Sequence, residues 1–270
     1  MSNLLRRVIV AAIGAPLVVF IAIHGSWPLH LLACALQVGV LWEWNRLNTA
    51  RDARIFWPGL LVATAGLDAA IFMNGHPPAM ALATLGLGVM LLSETFRGDR
   101  KPLANLSASA LYLLYAALPL ALWTQLDAVR SSTFYRPAGA LTAMLLATWM
   151  CDTGAYFMGR AFGKHKLYVA ASPNKTVEGF FGGILFAAVV LPVLSVFGWA
   201  EPRLWDYLAL PFIVSIIGQC GDLLESLMKR EVNVKDTSAF FPGHGGFLDR
   251  FDSLLLSTPF FFAYLLLTAN

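Results

Sequence analysis

The densest group of chemically capable side chains lies between residues 218 and 252. Asp222, Glu225, Ser226 and Lys229 are spaced i, i+3, i+4 and i+7, so a helix puts them on one face, with Arg230 close to that stripe. Carboxylates below cationic side chains suit a metal ion at the acids and a phosphate at the bases. The same spacing also suits intrahelical salt bridges lining a helix contact. Further on, Phe241-Pro242-Gly243-His244-Gly245-Gly246-Phe247 is rich in glycine, which lets backbone N–H groups approach a phosphate but more often marks only a turn. Asp249-Arg250-Phe251-Asp252 follows at once. Two carboxylates around an arginine suit Mg²⁺ plus phosphate. Mg²⁺ takes few carboxylates and completes its shell with phosphate oxygens and water, and Arg offers a planar fork.

A second group runs from Gly159-Arg160 through Lys164-His165-Lys166 to Ser172-Pro173-Asn174-Lys175-Thr176-Val177-Glu178-Gly179. Ser172 or Asn174 is expected to N-cap the helix that follows, whose free N–H groups form an anion site. Capping plus ordinary topogenic charge is the plainer reading of the same residues. Nothing here has the spacing of a Walker A loop, which excludes a P-loop NTPase. His165 reads as a surface loop residue. The ligand these groups suit is anionic and metal-bound, and a nucleotide triphosphate is the natural candidate, with a second substrate supplied by the bilayer.

These groups must be carried by apolar helices. The chain has 270 residues, of which 58% are hydrophobic and only 13% charged, and its mean hydropathy is +0.66. One soluble core of this size cannot hide so much apolar surface, which excludes an ordinary soluble enzyme and a disordered chain. A net charge of +3, with no basic tract outside the apolar segments, argues against nucleic acid as a partner. The fold class expected is all-α, a polytopic membrane protein. About nine apolar runs of spanning length occur, near 8–23, 28–47, 56–73, 77–93, 103–126, 139–159, 177–198, 204–227 and 251–268. The first is read as a retained helix rather than a signal peptide, because a second run follows at once. Residues 1–138 are expected to form a scaffold of five helices, and residues 139–270 a catalytic unit of four with cytoplasmic loops 160–176 and 229–250.

With the N-terminus cytoplasmic and the C-terminus on the opposite side, all of the 19 Lys and Arg except Arg130, Arg136 and Arg203 fall on the cytoplasmic side. Intramembrane acids are functional suspects by default. Asp152, Asp222, Glu225, Asp249 and Asp252 lie at similar depth near that side, whereas Asp68 lies in the outer half of its helix. Glu43 and Asp68 are expected to be satisfied by interhelical hydrogen bonds. Cys34, Cys151 and Cys220 read as small buried apolar residues, with no disulfide framework or zinc site. The eight Trp are expected mostly at the membrane interfaces.

Ser226 to Asp236 and Pro242 to Asp252 together resemble the signature of the phosphatidate cytidylyltransferase (CDP-diacylglycerol synthase) family. Asp152-Thr153-Gly154-Ala155-Tyr156, Gly159-Arg160, the Ser172–Gly179 segment and Gly221-Asp222 resemble it too. The first 140 residues agree only in hydropathy and in Trp42-Glu43-Trp44. The resemblance implies a dimeric membrane nucleotidyltransferase that converts CTP and phosphatidate into CDP-diacylglycerol and pyrophosphate with Mg²⁺. Its metal-binding acids correspond to Asp222 and Asp249, and K⁺ is a candidate to share the site. On that reading Lys229, Arg230, Lys235 and Arg250 hold phosphate oxygens, and Ser226, Asp236, His244, Gly245 and Gly246 complete the pocket. Asp152, Glu225 and Asp252 are further candidates for the metal shell, while Ser172, Asn174, Lys175 and Thr176 contact CTP or phosphatidate. The implied location is a bacterial cytoplasmic membrane, with the site facing the cytoplasm. Two rivals remain open: a CTP-dependent lipid kinase of the polyprenol type, and a cation-coupled transporter using Asp152, Asp222 and Glu225 as an ion path.

Overall fold

The computed structural model describes residues 3–75, 77–97, 101–129, 139–241, 243 and 245–268. Arg130, Arg136 and His244, which carry expectations above, lie outside them. Among the described residues, helices occupy nine stretches that track the nine apolar runs. These are α1 (Asn3–His24), α2 (Ser26–Ala50), α3 (Trp57–Phe72), α4 (Pro77–Phe96) and α5 (Pro102–Tyr112 continuing through Leu118–Val129). Then come α6 (Ala140–Phe162), α7 (Val177–Ala188 and Val190–Val196), α8 (Asp206–Phe212 continuing through Gly218–Glu231) and α9 (Leu248–Leu267). The protein is an all-α polytopic membrane protein. Four helical stretches, Pro102–Leu126, Val177–Val196, Asp206–Glu231 and Leu248–Leu267, are long and apolar enough to cross a membrane, and Ala12–His24, Trp57–Phe72 and Met80–Phe96 are shorter apolar stretches.

Local chemistry explains the interruptions. α7 breaks at Val189, where Pro192 has no N–H to offer the carbonyl four residues back. α5 and α8 each contain a π-helical stretch, Leu113–Ala117 and Ile213–Ile217. The second follows Pro211, which likewise removes a helical donor. Among the described residues, strand pairing is confined to a hairpin of β1 (Lys166–Tyr168) and β2 (Ser172–Thr176) and an isolated bridge between Phe241 and Gly245. The hairpin corrects the expected cap: Ser172 and Asn174 lie in β2, and Thr176 caps α7 by accepting the Gly179 N–H at 3.1 Å.

The interior is built around α5, whose Tyr112, Leu120, Trp123 and Leu126 are fully enclosed. Hydrogen bonds tie it to its neighbours: Trp44 Nε1–H to the Ala108 carbonyl at 2.9 Å, Tyr112 O–H to the Gln37 carbonyl at 2.9 Å, and Trp123 Nε1–H to Thr258 Oγ1 at 3.2 Å. Trp44 and Trp123 are therefore core residues, unlike the exposed Trp27, Trp42, Trp57, Trp199 and Trp205. The exterior is apolar, with Leu17, Phe20, Leu85, Phe181 and Leu185 among its outward side chains, as lipid contact requires. Of the cysteines only Cys151 is buried; Cys34 is intermediate and Cys220 exposed, which corrects the uniform buried reading.

Candidate active site

Close helix packing creates the site. α6 and α7 meet through small residues, as helices do where lipid supplies no hydrophobic drive. A Cβ on Gly182 would lie 2.4 Å from Met158 Cβ, and one on Gly179 would lie 2.7 Å from the Ala155 carbonyl oxygen. Only glycine allows this approach, and it draws the capped start of α7 against α6. Glu178, in the first turn of α7, accepts the backbone N–H groups of Lys164 (3.0 Å) and His165 (3.3 Å) and pairs with His165 Nδ1 at 2.7 Å. The hairpin is thereby tied down at its base, and His165 stays on the surface as expected.

From β2, Lys175 reaches across to α8 and pairs with Asp222 Oδ2 at 2.5 Å. The two enclose a cavity of about 700 Å³ together with Asp152, Tyr156, Arg160 and Asn174. That volume lies within the usual range of small-molecule sites. Two carboxylates, Asp152 and Asp222, and two cationic side chains, Lys175 and Arg160, thus line the same space. Ser226 Oγ–H leans back towards Asp222 Oδ1 at 3.4 Å, one turn away on α8. A pair of carboxylates facing a cavity offers the oxygen donors that a hard divalent cation takes.

A second, drier network adjoins it along α8. Lys229 is nearly enclosed and ion-pairs with both Glu225 and Asp249, the latter at 2.6 Å. Asp249 Oδ2 accepts the Thr237 N–H (2.8 Å) and the Gly246 N–H (2.7 Å), and Thr237 Oγ1 lies 2.8 Å from it and 2.8 Å from Glu43 Oε2, so its one proton is shared between two carboxylates. The Gly246 N–H, expected to face a phosphate, is thus engaged by a carboxylate. A Cβ on Gly246 would lie 2.1 Å from Glu43 Oε1 and 2.2 Å from Thr237 Oγ1, so close approach explains this glycine.

Glu43 holds the whole loop. Fully buried on α2, it accepts hydrogen bonds from Ser238 Oγ (2.6 Å), Thr237 Oγ1 (2.8 Å), the Phe247 N–H (2.8 Å) and the Leu248 N–H (2.8 Å). The sequence reading expected a satisfied acid here but assigned it no place near the site. Its signal was an acid between two tryptophans in an apolar run. Asp68 is also satisfied as expected, by Cys34, Gln37 and His30.

The remaining candidates stand around these two networks. Arg230, Lys235, Asp236 and Arg250 are exposed at the rim. Arg230 turns to the Val234 carbonyl at 3.1 Å, closing the end of α8. Ser172 is half-buried and pairs with Tyr168 in the hairpin, while Gly245 takes a φ of +80° beside Asp249. Asp252 Oδ1 accepts its neighbour Ser253 N–H at 2.6 Å.

A model described as the cytidylyltransferase family matches residues 5–268. The phosphatidate cytidylyltransferase of Bacillus subtilis is 30% identical over 99% of both chains. Those of Staphylococcus epidermidis and Staphylococcus saprophyticus are each 50% identical over 114 residues, 42% of this chain and 44% of theirs. The staphylococcal matches thus span less than half the length of those relatives.

Proposed function

The chain belongs to the cytidylyltransferase family, and from that premise we propose that it transfers a cytidylyl group from CTP to phosphatidate, giving CDP-diacylglycerol and pyrophosphate. The observation that carries this reading is the Lys175–Asp222 contact, which places a cation and a carboxylate from distant segments on one cavity at the ends of three apolar helices. A phosphate oxygen of the lipid attacks the α-phosphorus of CTP. The bond from that phosphorus to the bridging oxygen breaks, and pyrophosphate departs with the electron pair. Phosphatidate brings its own nucleophile, so no covalent enzyme intermediate is required. The protein's task is to bring two anions together in line and to offset their charge.

In this reading Lys175, Arg160 and Arg250 neutralise and orient phosphate oxygens at the cavity, and Asn174 contacts a substrate beside them. Ser172 and Thr176 shape the hairpin that carries Lys175. Arg230, Lys235 and Asp236 belong to the outer rim through which the triphosphate enters, and His244 is assigned to substrate binding by the resemblance alone. Asp222 and Asp249 are the proposed Mg²⁺ ligands, Asp249 Oδ1 exchanging its Lys229 contact for the ion, with Asp152 and Asp252 beside them and K⁺ as a second occupant. Bound there, Mg²⁺ would supply charge neutralisation for the triphosphate and the departing pyrophosphate. Lys229, Glu225, Gly245 and Gly246 keep the loop in place. The proposed location is a bacterial cytoplasmic membrane with the site on the cytoplasmic side, supported by the one-sided basic residues and by bacterial relatives. A homodimer, implied by the resemblance, belongs to the same proposal.

Purified protein supplied with cytidine-labelled CTP, phosphatidate and Mg²⁺ tests the reaction. Label entering the lipid together with released pyrophosphate is expected. Release of CDP with an unlabelled phosphorylated lipid would establish a kinase instead, and no transfer by folded protein would overturn the reading.

A further inference from the structure

Far from this cavity, α2 and α3 bring together three side chains of a different character. His30 and Cys34 lie one turn apart on α2, and Asp68 faces them from α3. Cys34 Sγ stands 3.2 Å from Asp68 Oδ2, His30 Nδ1 lies 3.1 Å from the same oxygen, and His30 Nε2 lies 3.8 Å from Cys34 Sγ. One donor atom from each residue falls within 4.8 Å of the others, and among the described residues no other trio of His, Cys, Asp or Glu side chains does so. A tetrahedral ion with bonds of about 2.0–2.3 Å has ligand-to-ligand edges of roughly 3.3–3.8 Å; the two His30 contacts use different ring nitrogens, so an edge of up to 4.8 Å must close by about 1 Å, through adjustment of the His30 ring, to form a coordination shell.

We propose that His30, Cys34 and Asp68 bind a zinc-class divalent cation, with water in the fourth position. The donor chemistry selects the ion: one thiolate and one imidazole favour Zn²⁺ over Mg²⁺, which takes oxygen ligands. Charge favours it as well. A thiolate, a carboxylate, a neutral imidazole and a dication sum to zero, which limits the cost of charge in an apolar surrounding. The metal-free cluster holds the Cys34 S–H proton against Asp68, and binding releases that proton to solvent.

The surroundings are those of a supported shell. Gln37 donates to Asp68 Oδ1 at 3.3 Å and to the Ala117 carbonyl at 3.0 Å, fixing the carboxylate from behind. Phe72 and Trp27 wall the His30 ring, with ring centroids 4.2 Å and 5.5 Å away. His30 keeps 14% of its side chain exposed, which leaves an entry path, while Asp68 is only 3% exposed. Along α2, His30 and Cys34 lie about 20 Å and about 14 Å from Glu43 at 1.5 Å per residue, and none of the three side chains lines the cavity, so the cluster is separate from the reaction proposed there.

Full-length protein in detergent, loaded with Zn²⁺ or Co²⁺ and dialysed, tests the site. About one zinc per chain is expected by elemental analysis, and a thiolate-to-cobalt charge-transfer band in the near ultraviolet. Cys34→Ser should abolish the band, and Asp68→Asn should weaken zinc retention at least about tenfold. Asp222→Asn, which alters the other cavity, should retain the zinc. The wild-type spectrum alone decides if a variant misfolds: folded protein with no band overturns the proposal. A band that survives Cys34→Ser also overturns it, since the thiol would then be Cys151 or Cys220.

Discussion

Glu43 and Leu248 stand 205 residues apart in the chain and meet at 2.8 Å, where Glu43 Oε2 accepts the Leu248 N–H. Leu248 opens α9, so a carboxylate on α2 serves the free end of another helix, where exposed N–H groups and the helix dipole both favour negative charge. With Thr237, Ser238 and Phe247 held by the same carboxylate, the loop before α9 is fastened to the N-terminal half of the protein.

Replacing that carboxylate by an amide removes one acceptor that two donors share. Glu43→Gln is therefore expected to cost about 1–3 kcal/mol for each donor left unpaired. Thermal unfolding in detergent should fall, and cytidylyl transfer should drop at least about tenfold as the loop loosens. A variant with wild-type unfolding and rate would show that the contact is dispensable.

Asp222 and Asp249 should separate chemistry from architecture. Asp222→Asn breaks a partly exposed ion pair and is expected to abolish transfer with a stability change within about 1 kcal/mol. Asp249→Asn breaks a buried ion pair with Lys229, expected to cost about 3–5 kcal/mol, and so should lose both activity and unfolding temperature. Chelation of divalent ions should stop transfer by the wild type, and Mg²⁺ should restore it. Parallel unfolding curves and transfer rates distinguish the two aspartates.

Lys175 gives a milder version of the same split. Lys175→Gln removes a charge that faces the cavity, and a charged hydrogen bond to phosphate is worth about 1.5–3 kcal/mol, or roughly 10- to 150-fold in kcat/KM. Lys175→Arg should recover part of that loss while leaving the fold unchanged. Steady-state kinetics with varied CTP and varied phosphatidate would show which substrate Lys175 serves.

Two glycines predict opposite outcomes from one substitution. Gly246→Ala sets a methyl group 2.1 Å from Glu43 Oε1, an overpacking expected to cost about 1–3 kcal/mol and most of the activity. Gly88→Ala, on α4, meets open space and should leave unfolding unchanged or raise it by up to about 1 kcal/mol through helix propensity. Paired melting curves check both.

Orientation is testable by labelling. With the native cysteines replaced, Ala239→Cys and Glu201→Cys place thiols at exposed positions on loops expected to face opposite sides. A membrane-impermeant maleimide added to intact cells should label Glu201→Cys, and lysis should be needed to label Ala239→Cys. The reverse pattern would invert the assigned topology.

The sequence by itself determined the class of protein and the local stripes. With 13% charge in a chain this apolar, each acid within a helix stands out, and helical spacing alone joins Lys229 to Glu225 and Ser226 to Asp222, because residues three or four apart share a face. Spacing is silent on partners further away. Thr176 rather than Ser172 or Asn174 caps α7 because β2 keeps the chain extended as far as Thr176 and the helix starts only at Val177, and no local rule announces a hairpin there. Only the packed helices bring Lys175 to Asp222 across 47 residues, turn Glu43 from an isolated acid into the anchor of the α9 loop, and gather His30, Cys34 and Asp68. Those meetings depend on how closely helix faces approach, which is set by small residues such as Gly179 and Gly182 acting on surfaces that linear order does not reveal.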